Sequence, residues 1–221
     1  MSAQSLVELY RLLLARLGPQ HWWPAQTAEE VLFGAILAQN TAWSGAAQAI
    51  AQLRAAGLLR FRALAGIDPD RVAQLIRPAR FMNQKARALL CFADYLGRGF
   101  DFSLARMRRQ PISRLRPELL GLYRIGPETA DSMLLYALGK PVFVIDLYTR
   151  RILSRHGLLQ LDDSYDRFQQ VCTRALPVAV PLYNELHALL VRVGNCYCKP
   201  QPRCAECPLK GLVLQDEHAY A

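Results

Sequence analysis

Two groups of residues in this chain have the types and spacing that perform chemistry. The first lies in residues 122–151, LYRIGPETADSMLLYALGKPVFVIDLYTRR. The turn Tyr123-Arg124-Ile125-Gly126 leads into Pro127 at what reads as a helix start. Backbone N–H groups without intrahelical partners point outward there, which makes a ready phosphate site. Asp146 stands 20 residues after Gly126, at the end of the apolar run Val142-Phe143-Val144-Ile145. A carboxylate combined with a phosphate grip suits chemistry on a nucleotide, because it can steady a cationic sugar and position or deprotonate a water. Each part also has a plainer reading. Asp before Leu147-Tyr148-Thr149 suits a helix N-cap, and Gly126-Pro127 suits a helix start with proline at its first position.

The second group is a run of thiols. Cys196, Cys198, Cys204 and Cys207 fall within 12 residues, after the last expected helix. Four soft ligands in so short a loop suit zinc or an iron–sulfur cluster, and spacing by itself leans slightly to zinc. Lys199, Arg203 and Lys210 surround them and would make the loop a basic surface. Cys91 and Cys172 sit inside helical patterns and read as buried small hydrophobes.

Composition narrows the partners. At 221 residues the chain is long enough for one large domain or two modest ones with real cores. Hydrophobic residues make up 52% and charged residues 20%, the balance of a globular protein. The net charge of +9, from 27 Lys+Arg against 18 Asp+Glu, favours an anionic partner. Lysine occurs only at Lys85, Lys140, Lys199 and Lys210, so arginine dominates, as suits phosphate gripping, and amines for Schiff-base chemistry are few. No stretch approaches the roughly 18–20 consecutive apolar residues of a membrane span. The N-terminal MSAQSLVELYRLLLARLG carries Glu8, Arg11 and Arg16 within its apolar period and reads as an amphipathic helix, not a signal peptide. A cytoplasmic location is expected (nucleoid-associated in a bacterium), with no membrane partner and with thiols reduced or metal-bound.

The elements that must position these residues are helical throughout, and no alternating strand pattern appears. Thr27-x-x-Glu30 is a capping box opening EVLFGAILAQ, which is too apolar all round for a surface helix. Further helices are expected near 44–56, from Asp68-Pro69 to Arg77-Pro78, and near 83–96, 103–108, 112–120, 127–138, 147–155, 164–176 and 181–193. Residues 142–145 read as an extended connector. The expected fold class is all-α.

The hairpin, the aspartate and the cysteine loop, in this order, resemble the helix-hairpin-helix/Gly-Pro-Asp superfamily of DNA base-excision glycosylases, the endonuclease III group. The resemblance runs from about Trp22 to Leu209 and implies a two-lobed fold. A six-helix barrel would cover 24–139, a second lobe 1–23 with 140–211, and a tail 212–221, with DNA in the groove between the lobes. It implies Asp146 as the catalytic carboxylate and a [4Fe–4S] cluster on the four cysteines, with zinc as the alternative. It implies double-stranded DNA carrying a lesion or mismatch as the partner of a monomeric enzyme.

By the same resemblance Gln39, in Ala38-Gln39-Asn40-Thr41, is a plug for the space a flipped base vacates. Phe81, in Arg80-Phe81-Met82-Asn83-Gln84-Lys85, is an apolar wedge for the opposite strand, although its type and setting equally allow a core aromatic. Arg124, Ile125, Gly126 and Thr129 would contact DNA through the hairpin, and Lys199 and Arg203 through the cysteine loop. Asn40, Trp43 and Tyr148 would line the base pocket, whereas Trp22, Trp23, His21, His156 and His187 read as packing or surface residues.

The chain departs from the family pattern at three points. The lysine that forms a Schiff base in strand-cutting relatives is Glu128 here, in Gly126-Pro127-Glu128-Thr129-Ala130. A carboxylate cannot form an imine, so a monofunctional glycosylase using water is expected. Glu128 would polarise that water or simply compensate the helix dipole. The first hairpin glycine is replaced by Arg124. In the cysteine loop the first gap is one residue short and Val213 stands where a fourth cysteine is expected, leaving Cys196 as the substitute. A bifunctional glycosylase/AP lyase using another amine such as Lys140, and a non-catalytic DNA-binding protein stabilised by a metal, remain open alternatives. The damaged base is not specified by any of these residues.

Overall fold

The structure, a computed structural model, describes residues 5–214. The expected tail 212–221 therefore falls largely outside the described residues. Eleven α-helices and three short 3-10 or π-helical segments make up the secondary structure of the described residues, with no strand among them, and His156 O accepts from Leu214 N at 2.8 Å. The fold is all-α. It divides into two compact units, Pro24–Lys140 and the combination of Met1–Trp23 with Pro141–Ala221.

The Pro24–Lys140 unit is built on helix α2 (Ala28–Leu37), buried from Glu30 through Leu37. A helix apolar on every side can only sit inside others. Thr27 caps it by accepting from Glu30 N at 3.2 Å, and the Glu30 carboxylate, turned inward, is met by Arg54 at 2.7 Å. Around it lie α3 (Trp43–Ala55), α4 (Pro69–Leu75), α5 (Met82–Phe100), α6 (Leu104–Arg108), α7 (Ile112–Leu120) and α8 (Pro127–Ser132). Phe33 stacks on Phe61 at 4.3 Å between ring centroids, and Phe61 meets Phe92 at 4.7 Å, joining α2 to α5 through the short turn Phe61–Leu64.

Several boundaries differ from the sequence expectation: the helix expected to reach Arg77-Pro78 ends at Leu75, the one expected over 181–193 covers Val180–Cys196, and two more differ in a local structural detail. Helix α5 continues past Leu96 through Gly97 and Gly99, because Phe102 packs so closely over Gly97 that a Cβ there would lie 2.7 Å from its ring. The single helix expected over 127–138 is α-helical only to Ser132 and then widens to a π-helical segment, Met133–Ala137, with Leu138 N bonded to Met133 O at 3.2 Å. Its apolar face is nonetheless buried as patterned, at Ala130, Met133, Leu134, Ala137 and Leu138.

The other unit packs α9 (Leu147–Arg155) and α1 (Leu6–Leu17) against α11 (Val180–Cys196), with α10 (Tyr165–Ala175) against α1. Residues 142–145 are buried and belong to neither a helix nor a strand. Gln169 Nε2 donates to Phe143 O at 2.7 Å, which satisfies a carbonyl that no strand partner reaches. No helix among the described residues is long and apolar enough to cross a membrane.

Candidate active site and nucleic-acid interface

Asp146 is the N-cap of α9. Its Oδ1 accepts from Thr149 N at 2.7 Å, and only 8% of the residue is exposed. The plain reading and the catalytic one thus coincide in one side chain: the cap bond fixes the carboxylate's orientation, while Oδ2 faces away from it. Oδ2 lies 3.8 Å from Nε2 of His187, a residue of α11 that is 5% exposed. Burial holds the His187 imidazole below its ordinary pKa, with the Asp146 charge pulling the other way. A neutral ring therefore sits beside the carboxylate without neutralising it.

Tyr148, one turn position further on, is placed by a different device. Its ring lies directly on Gly194, where any Cβ would approach it to 2.3 Å. Its hydroxyl donates to Asn195 Oδ1 at 2.7 Å, and the Arg151 guanidinium sits 5.3 Å from its ring centroid.

In the Pro24–Lys140 unit, α7 and α8 form the hairpin. A buried clasp joins them, with Arg116 bidentate to Asp131 at 2.8 and 3.1 Å. The connecting turn closes with Ile125 N donating to Leu122 O at 3.2 Å, and Arg124 occupies its third position at φ 62°. Glycine ordinarily takes such a position, since a Cβ is strained there. Gly126 has φ −91° and no such requirement, so the conformational demand falls on the residue where the family glycine is missing. The Arg124 side chain reaches Gln84 Oε1, and its carbonyl accepts from Gln39 Nε2 at 2.9 Å. Gln39 Nε2 also donates to Thr129 Oγ1 at 2.9 Å. The expected plug is thus tethered to the hairpin, and Thr129 is engaged inside the unit. Ile125 is buried at 4% exposure, so its side chain anchors the turn and is not offered to a ligand. Glu128 is exposed in the first turn of α8.

Phe81 is exposed at 51% with φ 45°, following Arg80 at φ 58°, so the core-aromatic alternative is overturned. Two successive side-chain-bearing residues in the left-handed region hold a ring out into solvent. Asn40 is also exposed and left-handed, at φ 49°, and Trp43 is half-buried at the first position of α3.

The thiols divide unevenly. Cys198, Cys204 and Cys207 line one cavity of about 140 Å³ together with Arg155, His156 and Lys210. Arg155 Nη1 lies 3.4 Å from Cys198 Sγ. Burial pushes the Cys207 thiol up, and the Cys198 and Cys204 sulfurs push it the same way. Cys196 does not join them. It ends α11 and stays exposed, because the backbone turns only after it, where Tyr197 N and Cys198 N both bond to Val193 O. Lys199 and Arg203 are exposed.

Comparison with known proteins decides what this geometry belongs to. Residues 33–177 match the HhH-GPD superfamily base excision DNA repair protein family. The chain belongs to that superfamily. A Methanocaldococcus jannaschii protein named "Putative DNA repair glycosylase" is 37% identical over 213 residues, covering 96% of each chain. Endonuclease III of Bacillus subtilis is 33% identical over 107 residues, 48% of each. Among solved structures, the 3-methyladenine DNA glycosylase of H. pylori bound to 1,N6-ethenoadenine superposes with a TM-score of 0.77 at 26% identity, over 87% of this chain and 98% of that one. A non-covalent endonuclease III–DNA complex superposes at 0.80 with 20% identity, over 94% and 93%, a likeness of fold. The protein is an endonuclease III-like DNA glycosylase.

For an HhH-GPD protein the cysteine loop has to be weighed as a cluster site. Three thiols share one cavity with cationic neighbours, a donor set that fits a soft iron–sulfur group at three corners. Among the described residues, however, no group of three or more His, Cys, Asp or Glu is arranged to hold a metal ion, and the expected fourth donor, Cys196, is exposed and does not line the cavity.

Three positions of the glycosylase escaped the sequence reading. His187 beside Asp146 carries no local signal, because it lies 41 residues away on another helix. Asn195, which holds Tyr148, is equally remote in sequence. Lys85 did carry one. It precedes Leu89 by four residues and Phe92 by seven, which puts an ammonium on the buried face of α5.

Proposed function

We propose that this glycosylase hydrolyses the N-glycosidic bond of a damaged or mismatched base in double-stranded DNA, acting as a monofunctional enzyme. The observation that carries the reading is the Asp146 carboxylate, buried and held by a cap bond, in a chain whose hairpin helix bears Glu128 in place of an amine. The C1′–N bond breaks with its electron pair leaving on the base. Asp146 faces the oxocarbenium ion that develops at C1′ and stabilises it electrostatically. Water adds to C1′, Asp146 takes the proton that water sheds, and the proton passes to the departed base. The neutral His187 ring keeps water from one side of the carboxylate without supplying a competing charge. Tyr148 and Trp43 are proposed to face the extruded base, and Phe81 and Gln39 to fill the space it leaves.

The cofactor is proposed to be a [4Fe–4S] cluster held by Cys198, Cys204 and Cys207, with Cys196 completing the set only if the end of α11 turns inward. Its contribution would be to shape the loop bearing Lys199 and Arg203 against DNA phosphates. Double-stranded DNA is the proposed partner of a single chain working in the cytoplasm.

The test is single-turnover incubation with lesion-bearing duplexes, beginning with 3-methyladenine and 1,N6-ethenoadenine because of the relative that bears those names. Free base and an unbroken, alkali-labile strand are expected, with no covalent complex on borohydride reduction. Glu128→Lys should create a trappable complex. Trapping by the unmodified protein would overturn the monofunctional reading.

A further inference from the structure

Lys85 is 3% exposed, and its ammonium makes three short bonds, to Leu37 O at 2.7 Å, Thr41 Oγ1 at 2.8 Å and Ala79 O at 2.7 Å. All three of its hydrogens are used and none of these acceptors is a carboxylate. A buried cation without a counter-ion is costly, and hydrophobic substitutes fill such sites at no loss of packing. The three acceptors belong to three segments. Leu37 O is one of the terminal carbonyls of α2, whose last turn has no basic residue of its own, so Lys85 supplies the missing C-terminal cation from another helix. Thr41 belongs to the turn that carries Gln39 and Asn40. Ala79 ends the short turn Arg77–Ala79, immediately before Arg80 and Phe81.

Thr41 Oγ1 lies a further 2.6 Å from Ala79 O, which ties the two loops directly. A second contact holds the Arg77–Ala79 turn against α3. Gly45 lies so close to the same turn that a Cβ would come within 2.5 Å of Pro78 O. Beyond this junction, Asn40, Arg80 and Phe81 are exposed and all left-handed. Strained tips of this kind persist only when the structure beneath them is over-determined.

We propose that Lys85 is the positioning residue for duplex engagement. It bolts the Gln39–Asn40 loop and the Arg80–Phe81 loop to the end of α2, so that the two tips enter DNA as one preassembled wedge. This rests on the reading of the chain as a base-flipping glycosylase. The cost of ordering two loops is met on folding and not at each encounter with DNA. The pKa of Lys85 is lowered to about 8 by its burial and by the like charge of Arg80.

The experiment places 2-aminopurine beside a lesion and follows its fluorescence as the protein flips the base. The variants are Lys85→Met, which keeps the stem, Thr41→Val, which keeps the shape, and Phe81→Ala. Loss of a charged hydrogen-bond network of this size should reduce flipping on duplex about ten-fold in Lys85→Met and by a smaller factor in Thr41→Val. Affinity for single-stranded DNA of the same sequence should stay within about two-fold, since no wedge is needed there. A merely structural lysine would lower the melting temperature and both affinities together, and that result overturns the proposal. If Lys85→Met fails to fold, Thr41→Val decides the question by the same ratio. Unchanged flipping in Phe81→Ala would sink the wedge reading itself. Reduced flipping in Phe81→Ala with unchanged flipping in folded Lys85→Met and Thr41→Val would sink only the role of Lys85.

Discussion

Asp146 and Phe81 are both exacting positions, and the molecule holds them by opposite means. Asp146 has an ordinary extended φ of −99° and is fixed by a bond to a residue three places away. Phe81 sits in the left-handed region at the end of a chain of contacts that reaches Leu37 and Thr41, which lie 44 and 40 residues away. The carboxylate is therefore a product of local helix-start geometry and the exposed ring a product of tertiary bracing. A group that must face a reacting atom is placed rigidly by a cap. A group that must displace a base has to project into solvent, where nothing local can hold it, so its support is drawn from the core beneath.

The largest expected effect tests the first half of that contrast. Asp146→Asn keeps the cap, because Asn serves there almost as well as Asp, but removes the charge. Base release in single turnover should fall by about 10²–10³-fold or more, with duplex affinity and melting temperature nearly unchanged. A variant retaining most of its activity would show that the aspartate is only a cap.

The cysteine loop lies between the two extremes, since its donors are close in sequence but only three share a cavity. Cys204→Ala should abolish iron binding in anaerobically purified protein, measured by visible absorption and iron content. Cys196→Ala should lose far less, because its thiol does not line the cavity. Equal loss in both would show that the end of α11 turns inward when the cluster is bound, and stoichiometric zinc in colourless, active protein would replace the iron–sulfur proposal.

Arg124→Gly separates strain from contact. Glycine removes the left-handed penalty, and thermal unfolding should show stability unchanged or raised by up to about 1 kcal/mol. The bond to Gln84 is lost, and with it the guanidinium proposed to meet a phosphate. Binding should weaken evenly across DNA sequences, with the salt slope reduced by about one. A sequence-dependent loss would place Arg124 at the bases.

The smallest effect concerns His187. Folded, its imidazole is held below its ordinary value near 6.5, so the unfolded chain binds more protons in that window. Its contribution to stability is therefore present above pH 6.5 and is lost as pH falls through the folded value. Urea unfolding at pH 7.5 and pH 5 should show a shallower acid loss in His187→Gln than in the parent. An identical slope would mean that folding leaves the titration of the ring unshifted, and a steeper acid loss in the variant that Asp146 holds the ring charged.

Much of the fold was legible from spacing. The Thr27 cap, the aspartate before Leu147 and the proline after Gly126 mark helix starts because a cap is a contact between near neighbours, although Glu30 turns to Gln26 N and Arg54 and does not complete the expected capping box. The all-round apolar character of 31–37 announced a central helix for the same kind of reason: burial follows from side-chain type. The helix ends were less legible. Gly97 and Gly99 look like stops, yet α5 runs through them because Phe102 folds back over Gly97. The left-handed turn passed from glycine to Arg124 without leaving a local mark.

What the sequence by itself determined is the set of groups available for chemistry and the helices that carry them: one capped aspartate, a hairpin bearing Glu128 in place of an amine, and a knot of thiols beside basic residues. Only the tertiary structure decided which of these meet. It brought His187 to Asp146 and Asn195 to Tyr148, left Cys196 outside the cavity of the other three thiols, and gave Lys85 three acceptors from three segments. The physical reason is range. Caps, turns and apolar periods are settled within a few residues of chain, whereas a buried charge finds its partners wherever packing happens to deliver an acceptor, and no spacing in the sequence encodes that distance.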